Sequence, residues 1–231
     1  MKIFHKIVVL SLCLLFCCAC TKKNQITIQG DIQNAEGQYI TISRMNLNEL
    51  QVIDSVPVHH GKFALALRPE DGEYAFYQLS LRKDNALTTI AKKGDQLRFT
   101  IDAQPMVKSY CVTGGHEAEL LCELDHQLSL FIDSVQILEQ YYYVDIEDDS
   151  LRSYINYCYL QIKNHHKEYL KNFICQNPQS LACLVAFYQK YNNGKFFSEE
   201  EDRDILMFIY DNLSKKYPHD ENVKWLGKRC G

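Results

Sequence analysis

Four side chains near the middle of the sequence have the types and spacing of a metal site. They are His116, Glu119, Cys122 and His126. Steps of three and four residues place them on one face of a helix, and all are side chains that can bind zinc. The leucines between them indicate instead a helix that packs against a core. No second helix offers a matching set, so we predict no metal and no cofactor.

Two histidine pairs and a tyrosine run are the next polar or aromatic groups. His59–His60 directly precede Gly61 in a predicted hairpin turn, and His165–His166 lie within a predicted helix. Both pairs are interpreted as surface or partly packed imidazoles. The tyrosines at 141–143 could stack on a sugar or a peptide, although aromatic residues at helical spacing more often form a core. The sequence leaves the ligand undetermined.

Recognisable catalytic motifs are absent from the sequence. It contains no Gly-x-Ser-x-Gly, no phosphate-binding loop and no dinucleotide-binding glycine pattern. The acidic run at 147–149 is typical of a helix start. The chain has 25 basic and 29 acidic residues and a formal net charge of −4, without a basic stripe. We therefore predict no catalytic residues, no enzymatic activity and no nucleic-acid partner.

The first twenty residues predict an export signal. Lys2 and Lys6 precede a nearly unbroken apolar run over 7–18, and Ala19–Cys20 precede polar residues. The run is shorter than the roughly 20 residues that span a bilayer. A cysteine after a small residue at this place is the lipid acceptor of bacterial lipoproteins. We predict removal of residues 1–19 and acylation of Cys20, with palmitate among the acyl groups, which would anchor the chain in the cell envelope.

Alternatives to Cys20 stay open at this stage. Position 17 holds cysteine where such signals usually have leucine, whereas Cys18 has Leu15 three residues before it. A plain cleaved signal or an uncleaved anchor is a further alternative. The formal Cys-x-x-Cys of Cys17 and Cys20 is interpreted as accidental because it lies in the signal. The six later cysteines fall mostly on apolar helical positions, which favours buried thiols over disulfides, although a periplasm permits disulfides.

The first half of the chain after the signal has the two-residue period of β-strands. The clearest alternation runs through 26–32, 62–68 and 96–102. Weaker strand candidates are 39–44, 51–58, 74–81, 87–91 and 107–112. Glycine-containing turns separate them. A tether at 20–25 and a β domain at 26–113 are therefore predicted, the domain as an antiparallel sandwich or barrel-like sheet.

The period changes near Gly114–Gly115, and the segment 114–231 is predicted to be helical. Apolar residues then recur every three or four positions. Signals for the helix starts are the periodicity from Leu121, the acidic cluster ending at Asp149, Asn177–Pro178, the Ser198–Glu201 capping box and Asp220. The predicted fold class is α+β, with a β domain followed by a helical array.

Short turn-and-strand motifs carry a family resemblance. They are Asp54–Ser55, Gly61–Lys62–Phe63, Gly94–Asp95 before Leu97–Arg98–Phe99, and Val112–Thr113–Gly114. In these motifs the chain resembles lipoproteins of Bacteroidetes-type bacteria that have an N-terminal β domain of unknown function. In many of them a helical segment ending near a Tyr-Pro, as at Tyr217–Pro218 here, leads into a thioredoxin-like domain of the thiol-disulfide oxidoreductase type.

The resemblance implies a place in the envelope without implying redox catalysis by this chain. The sequence stops at Gly231, where the thioredoxin-like domain would begin, and it has no Trp-Cys-x-x-Cys motif. We expect that domain to be absent. The expected function is a non-catalytic interaction or ligand-binding module at the outer membrane, facing the periplasm. Its expected partners are the membrane, through the lipid, and an envelope protein such as a thioredoxin-like protein. The alternative is an accessory or remnant component of a thiol-disulfide oxidoreductase system.

Overall fold

The computed structural model describes residues 24–69, 73–103, 105–142, 149–192 and 194–231. Contacts divide these residues into two units, one ending at Glu119 and one comprising Leu120–Gly231. None of the helices in these ranges combines the length and the apolar composition needed to cross a membrane.

The first unit contains two four-stranded sheets. In spatial order, the first sheet is β4 (Lys62–Leu67), β1 (Ile26–Gln33), β7 (Gln96–Asp102) and β8 (Tyr110–Thr113). The second sheet is β3 (Leu50–Pro57), β2 (Tyr39–Met45), β5 (Ala75–Arg82) and β6 (Asn85–Ala91). The predicted β-then-α organisation is confirmed, while neither sheet closes into a barrel.

One strand pair departs from the antiparallel arrangement that we predicted. β1 and β7 are parallel, with Ile28 beside Leu97 and Gly30 beside Phe99. Each of the other neighbouring pairs in the described sheets is antiparallel. Alternation of apolar residues reveals which face of a strand is buried, but it does not reveal the direction of the neighbouring strand.

Alternation along β1 and β4 produces the buried face of the first sheet. Ile26 and Ile28 are buried, whereas Gln29 and Asp31 on the opposite face are exposed. On β4 the buried residues are Phe63, Leu65 and Leu67. Each such side chain contributes about 1.5–3 kcal/mol when removed from water. The hydrophobic pattern therefore specifies the faces of these strands.

The last strand of the first unit starts later than predicted. A single 3-10 turn occupies Met106–Lys108, and β8 begins at Tyr110. The buried Asn85 carboxamide holds this turn, because its Oδ1 accepts the Met106 N–H at 2.8 Å and its Nδ2 donates to the carbonyl of Ala103. This long-range contact is not visible in the local pattern at 107–112.

In the described residues, five helices follow β8. They are α1 (His116–Tyr142), α2 (Asp149–Gln176), α3 (Ala182–Tyr188), α4 (Arg203–Lys216) and α5 (Glu221–Cys230). A short hairpin, β9 (Lys190–Tyr191) and β10 (Gly194–Lys195), follows α3 and was not predicted. Two-residue strands are too short to produce a visible period.

The predicted start of the third helix at Asn177–Pro178 is wrong. The backbone N–H and the Nδ2 of Asn177 both donate to the carbonyl of Phe173, each at 3.0 Å, so Asn177 ends α2. α3 begins at Ala182, whose N–H donates to Ser180 Oγ at 3.1 Å. The asparagine side chain can hydrogen-bond to backbone groups at the start or at the end of a helix, and the local sequence alone did not distinguish these two positions.

Of the two caps predicted near α4 and α5, only the one at Asp220 is present, because α4 begins at Arg203 and has no side-chain cap from the predicted Ser198–Glu201 box. Ser198 Oγ accepts the Glu201 N–H at 3.4 Å. The reciprocal acceptor is Asp202 instead of Glu201, because Asp202 Oδ2 accepts the Ser198 N–H at 2.9 Å. Asp220 caps α5 as predicted, with Oδ1 accepting the N–H groups of Asn222 and Val223 at 2.8 and 3.0 Å.

Candidate functional site: a groove between two helices

The candidate site is a groove in the second unit between α1 and α2. The two helices are antiparallel. Glu123 of α1 contacts Tyr169 of α2, whereas Phe131, which comes later in α1, contacts His166, which comes earlier in α2. The groove has a volume of about 450 Å³. Its lining residues are Gln127, Leu130, Phe131, Ser134, Gln161, Ile162, His165, His166 and Tyr169.

The lining combines apolar side chains with uncharged polar groups. None of these nine described residues is Asp, Glu, Lys or Arg. The residues of α1 recur at three- and four-residue steps, as do those of α2, so each helix presents one stripe to the groove. The arrangement suits a ligand held by apolar contact and a few hydrogen bonds.

Phe131 and His166, which line the groove, belong to a larger cluster of rings. Phe131 lies with its centroid 5.0 Å from that of His166 and 5.1 Å from that of Phe196. The hairpin β9–β10 supplies Tyr191, whose centroid is 5.3 Å from Phe131 in an edge-on arrangement. Phe196 follows this hairpin directly and lies 4.6 Å from His166. Tilted and edge-on aromatic pairs stabilise beyond the area they bury.

His166 is a buried imidazole held in place by one hydrogen bond. It is 5% exposed, and its Nε2–H donates to Oε1 of the buried Gln189 at 2.7 Å. Burial lowers the pKa of His166, the bond to Gln189 opposes this, and the adjacent His165 lowers it slightly. The neutral ring therefore acts as part of the aromatic wall.

Tyr169 lines the groove and its side chain bonds to α1. Its hydroxyl donates to Glu123 Oε1 at 2.9 Å. Burial, followed by the bond to the Glu123 carboxylate, raises the pKa of the Tyr169 phenol well above its usual range. The phenol stays protonated at neutral pH and acts as a hydrogen-bond donor.

The metal candidates on α1 do not assemble into a site. Within the part of the chain that the structure describes, no group of three or more His, Cys, Asp or Glu side chains is placed to hold a metal ion. Glu119 has a structural contact instead, because its Oε1 accepts the N–H of Gly114 at 2.9 Å. Gly114 has a φ of +91°, and a Cβ there would overlap the carbonyl oxygen of Gln96.

His59 and His60 lie in the turn between β3 and β4. The N–H groups of His60 and Gly61 donate to the Glu36 carboxylate at 3.1 and 2.9 Å. These two bonds lower the pKa of Glu36. The turn is thus organised by Glu36, and His60 takes a positive φ of 52° within it.

The remaining candidate residues are dispersed or lie outside the described residues. Cys20, its alternative Cys18 and Tyr143 lie outside them. Tyr141 is 57% exposed. Cys111 and Cys175 are exposed free thiols, and the buried Cys183 thiol donates to the carbonyl of Asn177 at 3.0 Å.

Sequence reasoning did not find the groove, although one signal was present. Gln127, Leu130, Phe131 and Ser134 form a helical stripe that mixes apolar and uncharged polar residues. His166 was interpreted as a surface or partly packed imidazole, and it is buried. Its partners Gln189 and Phe196 are 23 and 30 residues away, so no local pattern connects them.

Comparison with known proteins does not add a function. No family model and no curated protein matches the chain. The resemblance to envelope lipoproteins therefore stays a prediction that depends on the motifs given above.

Proposed function

We propose that this protein is a lipid-anchored, non-catalytic module of the cell envelope that binds a small ligand in the groove between α1 and α2. The observation that carries the proposal is the groove itself, with a volume of about 450 Å³ and the buried rings of Phe131 and His166 in its wall. Small-molecule sites typically occupy a few hundred Å³ and have this mixture of apolar and polar lining.

The chemistry of the lining supports binding over catalysis. Its titratable side chains are His165, His166 and Tyr169. His166 donates to Gln189, and Tyr169 donates to Glu123, so both are held by structural bonds. Nucleophilic catalysis requires a nucleophile within hydrogen-bond reach of a base, whereas these contacts position rings and a phenol for recognition.

The β domain has a separate place in the proposal. Both sheets have buried faces, with Ile28 and Phe99 in the first and Ile42 and Leu79 in the second. We propose that these faces stack as a sandwich, since sheets with one apolar face are stable when they cover each other. The β domain would then serve as a docking surface for an envelope partner such as a thioredoxin-like protein.

The proposed anchor is a lipid on Cys20, at the outer membrane facing the periplasm. It is supported by the basic start, the apolar run and Ala19–Cys20. Such a tether requires no transmembrane helix and would keep the protein at the membrane.

Binding in the groove can be tested with the uncharged fluorophore N-phenylnaphthylamine. We expect its fluorescence to rise on titration with the protein, and Ser134→Phe to weaken binding at least about tenfold by filling the groove. Ser153→Phe is the matched control. Both serines donate to the carbonyl four residues earlier at 2.8 Å, but Ser153 is exposed and outside the lining.

Two outcomes would contradict the proposed site. One is a fluorophore that does not bind the folded protein at all. The other is an equal loss of binding in Ser134→Phe and Ser153→Phe, which would place the fluorophore elsewhere. Circular dichroism melts of both variants separate a blocked groove from an unfolded chain.

A further inference from the structure

We propose that the groove between α1 and α2 selects an uncharged ligand that has an apolar ring or chain and one hydroxyl or amide group. This inference rests on the proposed function and specifies the ligand class of the same site. It follows from the charges around the groove and from the placement of its polar groups.

The first argument is the absence of a counter-charge in the lining. None of the nine lining residues is Asp, Glu, Lys or Arg, and the imidazole of His166 is buried. A charged ligand entering the groove would lose hydration without gaining an ion pair, which is costly in a partly buried site. An uncharged ligand avoids that cost.

The second argument is that two charged side chains close to lining residues are already engaged. Glu123 accepts the Tyr169 hydroxyl at 2.9 Å. Lys167, which follows His166 in α2, forms a short ion pair with Asp202 Oδ1 at 2.6 Å. Recruiting either group to a ligand would break an existing contact, so neither provides a ready partner for an ion.

The third argument concerns the hydrogen-bonding groups. Gln127 and Gln161 have carboxamides that both donate and accept, and Gln161 is exposed at the rim of the groove. Ser134 Oγ donates to the Leu130 carbonyl at 2.8 Å and keeps its acceptor capacity. Hydroxyl and amide groups complement such side chains, while the apolar part of the ligand would lie against Phe131 and Ile162.

Competition against N-phenylnaphthylamine tests this inference with three competitors that differ mainly in charge. They are naphthalenemethanol, naphthoate and naphthylmethylammonium. At about pH 7.5, above the usual histidine range, we expect the neutral alcohol to compete at least about tenfold better than either ion. An ion that competes within about threefold of the alcohol would overturn the inference.

Charge variants at the rim provide the second arm. Gln161→Lys should improve competition by naphthoate relative to the alcohol, and Gln161→Glu should do the same for naphthylmethylammonium, each by about threefold or more. Gln136→Lys and Gln136→Glu place the same charges at an exposed position of α1 outside the lining. These control variants should not change competition by either ion. The inference would also be overturned if neither substitution of Gln161 changed the preference among the three competitors. Failure of the parent fluorophore to bind would instead refute the proposed function.

Discussion

His166 shows how one residue connects packing to recognition. Its ring contacts Phe131, Phe196 and Tyr169, with centroids 4.6 to 6.0 Å apart. The Gln189 bond fixes the orientation of the ring. A protonated imidazole would bring a charge into this ring cluster, so the burial that lowers its pKa also keeps the wall of the groove uncharged.

This environment predicts a pH dependence of stability. Because the pKa of His166 is lower in the folded chain than in the unfolded chain, the unfolded chain binds the extra proton first as pH falls. The stabilisation present at higher pH should therefore be lost below about pH 6.5. We expect urea denaturation to show a free energy of unfolding that decreases from about pH 7.5 to about pH 5.5, and His166→Gln to reduce that slope.

The neighbouring histidine is the control for this prediction. His165 also lines the groove but is exposed, and His165→Gln should keep most of the slope. An identical slope in the wild type and His166→Gln would contradict the prediction. His166→Gln should also cost about 1–3 kcal/mol at neutral pH, because the ring leaves a packed cluster.

At the scale of the element, β1 depends on a glycine between two aromatic residues. Gly30 pairs with Phe63 of β4 on one side and with Phe99 of β7 on the other. A Cβ at position 30 would lie 2.6 Å from Phe63 Cε1 and 3.0 Å from Phe99 Cβ. Phe63 is buried, so its ring has little room to move, and only glycine fits without a shift.

Gly30→Ala should therefore destabilise the first sheet. We expect a loss of about 1–3 kcal/mol in the free energy of unfolding, as for an overpacked core, measured by urea denaturation. Gln29→Ala changes the exposed neighbour on the same strand and should stay within about 0.5 kcal/mol of wild type. Equal stability of the two variants would show that the Phe63 ring relaxes freely.

At the scale of the whole molecule, the proposed tether decides where the groove operates. Wild-type protein expressed with its full N-terminus should fractionate with membranes and be released by detergent but not by salt. Intact mass should show a diacylglyceryl-sized addition on a chain beginning at Cys20. Two acyl chains hold a protein far more firmly than one.

Cys20→Ser should abolish the lipid and release the protein from the membrane fraction, while Cys18→Ser is the control that retains both. The assays are intact mass and membrane fractionation. Loss of the lipid in Cys18→Ser but not in Cys20→Ser would assign the lipid to Cys18. Wild-type protein without a lipid would refute the anchor. Fluorophore binding by the chain without its signal should be unchanged, because the groove residues all lie beyond position 126.

The sequence by itself determined most of the elements and the buried faces of the clearest strands, because these depend on neighbours only a few residues apart. The alternation of Ile26 and Ile28, the periodicity from Leu121 and the Asp220 cap were all readable locally. Tertiary structure decided which elements meet. The parallel pairing of β1 with β7, the Asn85 contact that delays β8, and the meeting of His166 with Gln189 each join residues about 20 or more positions apart. Such contacts depend on the packing of the folded chain, which local propensity does not encode. Of the three, the contact of His166 with Gln189 is the one that orients a ring in the groove.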